Sequence, residues 1–536
     1  MFDSISRRTY VVSLTLITLL SALLLVGWAL LTQALRAPDE PQHANSVVRV
    51  MHGGGWPAPG EALFGAGPET TLSEGAFSTW LPGSTRPPGP AFTDVVPTPD
   101  EARTVIDEDN ALPAPGETRY DQMTQHPPLY YAVVAGVLRL VGLDEARWDV
   151  QLLVMRLVGA AMTVPTVPLI AEATRRLLRS PATGLGAACL PLFIPQFWHI
   201  NGAVTNDALL TLTGSLTLFW TLKALQGDVR PRTAVLAGLF LGAGLLTKGF
   251  MMAGIPVVLA GFLLARRAPW RRRLLAAALA MAVAFAVGGW WWLRNLLVHG
   301  TLQPAGQTVA APNPSAVTTL SAYVERALNA FSRSFWGLFS WGEMPIALPY
   351  VVGASVVLLV LVVLGLAASR GIFREMLLLA SFAGIIVGSI VLRQWRFYVE
   401  TGAFSGLQGR YFYLAILGIT VLAAGGLWFL LRRSERRAVV LLPVLAAGGV
   451  VASLWGMSVA FEGYYQAAGE SAGQAFARWA AWSPASPEQL AVLGGVTAAV
   501  ACVLLAQLAW TAWSPDGPAG RDRFPARHGR ATTIER

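Results

Sequence analysis

The run Tyr10–Leu35 contains no charged residue and is followed by further apolar stretches of similar length along the chain. About 20 such residues cross a bilayer, and inside lipid every backbone N–H and C=O must find a partner within the protein. Only helices or a closed barrel meet that demand. The ten-residue alternating strands of a barrel are absent, so the fold class is an all-α polytopic membrane protein. Composition agrees: of 536 residues 54% are hydrophobic and 13% charged, where a soluble chain carries about 25% charged residues.

Apolar runs place about twelve spans, at 10–35, 150–174, 181–200, 206–225, 233–247, 250–265, 273–296, 346–368, 376–393, 411–431, 438–460 and 489–513. Arginine clusters at Arg7/Arg8, Arg175/Arg176/Arg179, Arg230/Arg232, Arg266/Arg267 with Arg271–Arg273, Arg370/Arg374 and Arg432/Arg433/Arg436/Arg437 fall in alternate turns. By the positive-inside rule these turns are cytoplasmic, and both termini lie inside. The net charge of +9 therefore reports topology rather than affinity for nucleic acid. Cys189 and Cys502 both lie in apolar runs, which leaves no disulfide framework or cysteine metal site. The first run is too long for a signal-peptide core and is expected to stay as an anchor. Pro127–Gly142 is apolar as well, but counting it as a span would reverse the following loops. It is expected to lie along the outer surface, with Tyr130 and Tyr131 at the interface.

These assignments leave a long first outer loop, about 37–149. Its residues 37–125 hold 13 Asp and Glu against 4 Arg. Pro and Gly crowd 52–116, so part of 57–118 is expected to be irregular. Outer loops also run over 297–345, with an amphipathic stretch at 321–335, and over 394–410 and 461–488. Long loops on one side, against short turns on the other, put the function outside.

Three groups of residues stand out there. Pro38-Asp39-Glu40 sets two adjacent carboxylates at the membrane surface, where ionisable groups are costly and functional by default. The ordinary alternative is an N-cap at Asp39, with Pro38 and Pro41 shaping the turn. Lys248, one of two lysines with Lys223, and Arg294, Arg393, Arg396 and Arg410 all fall on the side where cations are scarce. Together they suit the phosphate of an anionic lipid, and snorkelling beside Trp290–Trp292, Trp395 and Tyr398 is the alternative. Five of six histidines are on the outer side. His43 lies close to Asp39 and Glu40, so a divalent metal on Glu40 and His43 is the one cofactor left open, although the spacing fits no strict metal motif.

These motifs, in this order and with this sidedness, resemble the GT-C superfamily of polyprenyl-phosphate-sugar-dependent glycosyltransferases, in particular the protein O-mannosyltransferases and the lipid A aminoarabinose transferases. The likeness rests on a first span followed by Pro38-Asp39-Glu40 and an outer loop ending in His126-Pro-Pro-Leu-Tyr-Tyr131. It is extended by Thr205-Asn206-Asp207, Gly244–Gly249, Trp292-Leu293-Arg294-Asn295 and Gly409-Arg410-Tyr411-Phe412. It covers residues 1–300 well and the remainder loosely. The resemblance implies a GT-C-like catalytic module over 1–300 and a C-terminal transmembrane module with outer loops over 301–513. A basic cytoplasmic tail, 514–536, would follow. It also implies that the acidic pair carries the catalytic carboxylate, Asp39, with Glu40 beside it. Where aminoarabinose transferases have a Glu-Lys pair this chain reads Gln125-His126, which departs from the pattern.

The expected reaction moves a sugar from a polyprenyl-phosphate donor to a hydroxyl of an extracytoplasmic glycan, lipid or protein, by inverting displacement at the bacterial plasma membrane. Polyprenyl phosphate leaves readily, so the site needs a base and cations for the developing charge. Asp39 is the expected base. Lys248, Arg294, Arg396, Arg410 and His126 are the expected phosphate ligands. A transporter or flippase for lipid-linked glycans would use the same cations, but it calls for polar residues deep in several spans. An O-antigen-type polymerase or ligase would not need the early carboxylates. A structural scaffold would bind no lipid phosphate.

Overall fold

A computed structural model describes residues 5–82, 90–306, 313, 318–404 and 406–513. The basic tail expected at 514–536 lies outside the described residues. The first helix, α1 (Arg7–Leu31), stops short of the apolar run that predicts it, and residues 32–39 form a turn that leads into α2 (Glu40–Met51). The first long loop carries α3 (Ala66–Glu74) inside the stretch expected to be irregular, and then α4 (Leu129–Leu140). Next come α5 (Trp148–Thr163), α6 (Thr166–Leu178), α7 (Pro181–Cys189), α8 (Pro195–Asn201), α9 (Asp207–Leu225), α10 (Pro231–Leu245) and α11 (Gly254–Leu263). The remainder is α12 (Trp270–Ala284), α13 (Trp290–His299), α14 (Leu320–Trp336), α15 (Leu348–Ala367), α16 (Phe373–Thr401), α17 (Ile416–Leu430), α18 (Glu435–Tyr465), α19 (Ala472–Trp482) and α20 (Pro487–Trp513). Two small antiparallel pairs complete the loops, Val105–Ile106 with Ala146–Arg147 and Leu338–Phe339 with Met344–Pro345.

Among the described residues nine helices are long and apolar enough to cross a membrane. The other three of the twelve expected spans are met by the shorter apolar helices Pro181–Phe193, Pro231–Leu245 and Gly249–Leu263. Length and composition thus single out nine rather than twelve. Burial sorts them further. In the apolar window of Gly409–Leu430 78% of residues are buried and in Asp207–Leu225 67%, against 11% in Leu348–Ala367 and 17% in Pro487–Trp513. The first two are central, and the last two present their sides to lipid.

Pro127–Gly142, not counted among the expected spans, holds the short helix α4. Helix α4 has 12 residues, about 18 Å at 1.5 Å each, well short of a bilayer core. It buries Tyr130, Tyr131, Val134 and Leu138 on one face, at helical spacing, and leaves Leu140 86% exposed at its end. Its buried face packs on α2 and α5 around Val47, Val48, Met51 and Met155. The amphipathic stretch expected at 321–335 is α14, started by Thr319, whose hydroxyl accepts the Ala322 N–H at 3.2 Å.

Candidate active site

The end of α1 sets the geometry of everything next to it. The last carbonyls of a helix lack partners inside it. Here Ala29 O accepts from Arg156 at 2.7 Å, Leu30 O from Trp479 Nε1 at 2.9 Å, and Leu31 O from Tyr465 at 3.1 Å. The chain then turns sharply, with Leu35 (φ 62°) and Asp39 (φ 63°) both left-handed. That region disfavours a bulky side chain such as leucine, and such strain persists only where the surroundings hold it.

Asp39 caps no helix through its side chain. Its Oδ2 lies 2.6 Å from Arg410 Nη2, and Arg410 Nη1 donates to Pro38 O at 3.3 Å. Arg410 in turn faces Asp207, Nε to Oδ2 at 3.9 Å, and Asp207 Oδ1 lies 2.5 Å from Lys248 Nζ. Lys248 also donates to Asn206 Oδ1 at 3.1 Å. Two acids and two bases thus alternate in one chain of contacts drawn from four separate segments. Arg410 and Asp207 are 3% exposed at the side chain and Lys248 8%, whereas Asp39 is 25% exposed. The rings of Tyr411 and Phe250 flank the Lys248 ammonium at 5.2 and 5.8 Å.

Local sequence explains how the cations arrive. Gly409 sits against α14 so tightly that a Cβ there would lie 2.4 Å from Phe331 O, and its N–H donates to Ser334 Oγ at 2.7 Å. Only glycine lets the chain approach that closely just before Arg410. Lys248 follows three residues after the end of the short α10.

His43 and His126 flank this chain of charges. His43 Nδ1 pairs with Tyr131 OH at 2.9 Å, and the two rings stack. Asp121 accepts from Asn45, Ser46 and Arg49 of α2 and from Met123 N, which fixes the turn that presents His126. Burial first, and the Lys248 ammonium second, hold both imidazoles well below their ordinary value, so both are neutral at neutral pH. Among the described residues His126 Nδ1, Asp207 Oδ2 and Arg410 Nε are buried without a hydrogen-bond partner.

The expected site residues therefore separate. Asp39, Lys248 and Arg410 come together, with His126 and His43 beside them. Arg294 and Arg396 do not join them. Both are exposed, and Arg294 lies 5.3 Å over the ring of Trp291, as a snorkelling residue would. Glu40 is fully buried, and both its oxygens bind Arg156 at 2.7 Å. It faces away from the charge chain and has no free lone pair aimed at a metal shared with His43. Among the described residues no group of three His, Cys, Asp or Glu side chains is placed to hold a metal ion. Sequence reasoning gave no role to Asp207 or Arg156. An acid at the first turn of a span was the available sign for Asp207; nothing nearby in sequence marks Arg156.

Residues 22–420 match a family model described as "Predicted membrane protein (DUF2142)". A curated relative is the undecaprenyl phosphate-alpha-4-amino-4-deoxy-L-arabinose arabinosyl transferase of Pseudomonas paraeruginosa, 30% identical over 189 residues, 32% of this chain and 34% of that one. The chain thus spans about a third of the length of the curated relatives it matches. Among solved structures, ArnT from Cupriavidus metallidurans bound to undecaprenyl phosphate is 16% identical, with TM-score 0.44, over 97% of this chain and 79% of that one. The archaeal oligosaccharyltransferase AglB from Archaeoglobus fulgidus is 13% identical, with TM-score 0.45, over 87% and 57%.

Proposed function

The chain belongs to the DUF2142 family of membrane proteins, and from that premise we propose that it is a glycosyltransferase. In this reading it takes a sugar from a polyprenyl-phosphate donor and passes it to an acceptor hydroxyl on the extracytoplasmic side. The observation that carries the reading is the charge chain itself. One partly open carboxylate, Asp39, is held against a buried guanidinium, with a buried ammonium one acid further on. The likeness over 189 residues to an undecaprenyl-phosphate-sugar transferase supports it.

In the proposed reaction the acceptor oxygen attacks the anomeric carbon, and its proton passes to Asp39. The bond from that carbon to the phosphate oxygen breaks, and polyprenyl phosphate leaves with the electron pair. Arg410 and Lys248 offset the charge that develops. Attack opposite the leaving group inverts the sugar. Because Arg410 already holds Asp39, the incoming phosphate competes with Asp39 for the guanidinium and frees the carboxylate to act as base. Neutral His126, with an unpartnered Nδ1, is set to bond the donor. The Glu40 and His43 side chains do not suit a divalent metal, and no step is drawn through one.

Two measurements test the proposal. Mass spectrometry of lipid carried through purification should find a polyprenyl phosphate or its glycosylated form, and a lipid extract lacking both counts against the reading. Asp39→Asn in folded protein should lose turnover by about a thousandfold, since the amide cannot take the proton. Unchanged turnover would remove Asp39 as the base.

A further inference from the structure

Arg156 is a buried arginine at helix depth with no assigned work, and its bonding is complete. Its five N–H groups meet five acceptors: Glu40 Oε1 and Oε2 and the carbonyls of Ala29 and Thr32, all at 2.7 Å, and of Gln33 at 3.1 Å. Nothing on the guanidinium remains for a ligand. Glu40 reaches further. Its Oε1 also accepts the Val204 N–H at 3.0 Å, and its Oε2 accepts the Ala37 N–H at 3.4 Å. Val204 opens the short segment that ends in Asp207, where the Thr205 N–H is held by Tyr130 OH at 3.0 Å.

We infer that the Glu40–Arg156 pair is the positioning device of the site, clamping the turn that carries Asp39 and the segment that carries Asp207 to the end of α1 as one unit. The physical reason is that neither segment is regular structure. The Asp39 turn contains two left-handed residues, and residues 202–206 lie between α8 and α9. Each needs side-chain bonds to hold its shape. One carboxylate binds both, and one guanidinium ties that carboxylate to the Ala29 carbonyl of α1 and to the Thr32 and Gln33 carbonyls of the turn that follows. A buried pair is an uncertain source of stability, and fixing a unique geometry is the use that best accounts for retaining one. Loosening it should move Asp39 and Asp207 together, by an amount that matters because about 1 Å of misplacement can cost roughly a hundredfold in rate.

The turnover arm of the test rests on the glycosyl-transfer reading, whereas the exchange arm needs no substrate. Arg156→Lys keeps the charge and loses the fork, and Glu40→Gln keeps an acceptor oxygen and the volume. Hydrogen exchange read by mass spectrometry should rise about tenfold at residues 29–43 and at 203–208 in both variants, relative to wild type and to Arg294→Gln. With a glycosylated undecaprenyl-phosphate donor, kcat should fall about ten- to a hundredfold. KM and the Kd for undecaprenyl phosphate should stay within about threefold, because Lys248 and Arg410 still meet the phosphate. Glu40→Ala should fall further than Glu40→Gln. The inference is overturned if exchange rises in only one of the two segments, or if kcat falls while Kd rises by a similar factor. It also falls if neither conservative variant folds, which would make the pair a strut of the core. If wild type binds no undecaprenyl phosphate, the donor reading fails while the exchange result still decides the clamp.

Discussion

Arg410 and Arg396 lie 14 residues apart, both beside aromatic residues, yet the protein treats them as different kinds of group. Arg410 is buried between Asp39 and Asp207, 371 and 203 positions away. Arg396 is exposed on α16, and Arg294 is exposed on α13. A cation deep in a membrane protein is costly alone and tolerated when an acid from another element meets it. A cation at the rim costs little and commits to little. The lesson is that the partner, not the residue type or the neighbouring tryptophans, separates a buried cation from an exposed one.

That contrast can be broken by experiment. The largest effect belongs to Asp39→Asn. Turnover should fall about a thousandfold while undecaprenyl phosphate binds as tightly as before or more tightly, because the amide no longer competes for Arg410. Weaker binding in that variant would mean that Asp39 supports the phosphate seat rather than occupying it. Next come Arg410→Gln and Lys248→Met, each expected to weaken binding of the lipid by about ten- to a hundredfold, the scale of a lost charge-assisted contact of about 1.5–3 kcal/mol. Calorimetry or tryptophan quenching with undecaprenyl phosphate would measure it.

A smaller effect comes from His43, which stays neutral among Lys248, Asp207 and Arg410. Its folded-state pKa lies below the unfolded value near 6.5, so its contribution is fully present above pH 6.5 and is lost as pH falls below it. The slope is at most about 1.4 kcal/mol per pH unit. Thermal unfolding at pH 7.5 and 5.5 should show the loss, and His43→Asn should reduce it, the remainder coming from His126, which is held down in the same way. The smallest effects are expected at Arg294→Gln and Arg396→Gln, which should alter lipid binding less than about twofold. If either matched Arg410→Gln, the distinction between buried and rim cations would collapse.

Much of this was legible in the amino-acid order. Long apolar runs foretold the helices, and Pro127–Gly142 forms the short α4. The couplet at 39–40 marked a turn where two ion pairs meet. Its two members then take different partners, Glu40 meeting Arg156 and Asp39 meeting Arg410. Those encounters join residues 116 and 371 positions apart, and no local pattern encodes them. Short helices such as Pro231–Leu245 blurred the count of spans, since a run of 15 residues satisfies neither the surface rule nor the crossing rule alone.

The capping of α1 has a bearing on biosynthesis. The carbonyls of Ala29, Leu30 and Leu31 are satisfied by Arg156, Trp479 and Tyr465. A ribosome delivers Arg156 long before Tyr465 and Trp479. Until then α1 has a frayed tip, close in sequence to Asp39. A chain cut after α17 would keep all four charges of the site and still lack the two aromatic side chains that close that tip. The tip of α1 is therefore closed only once α18 and α19 have been made.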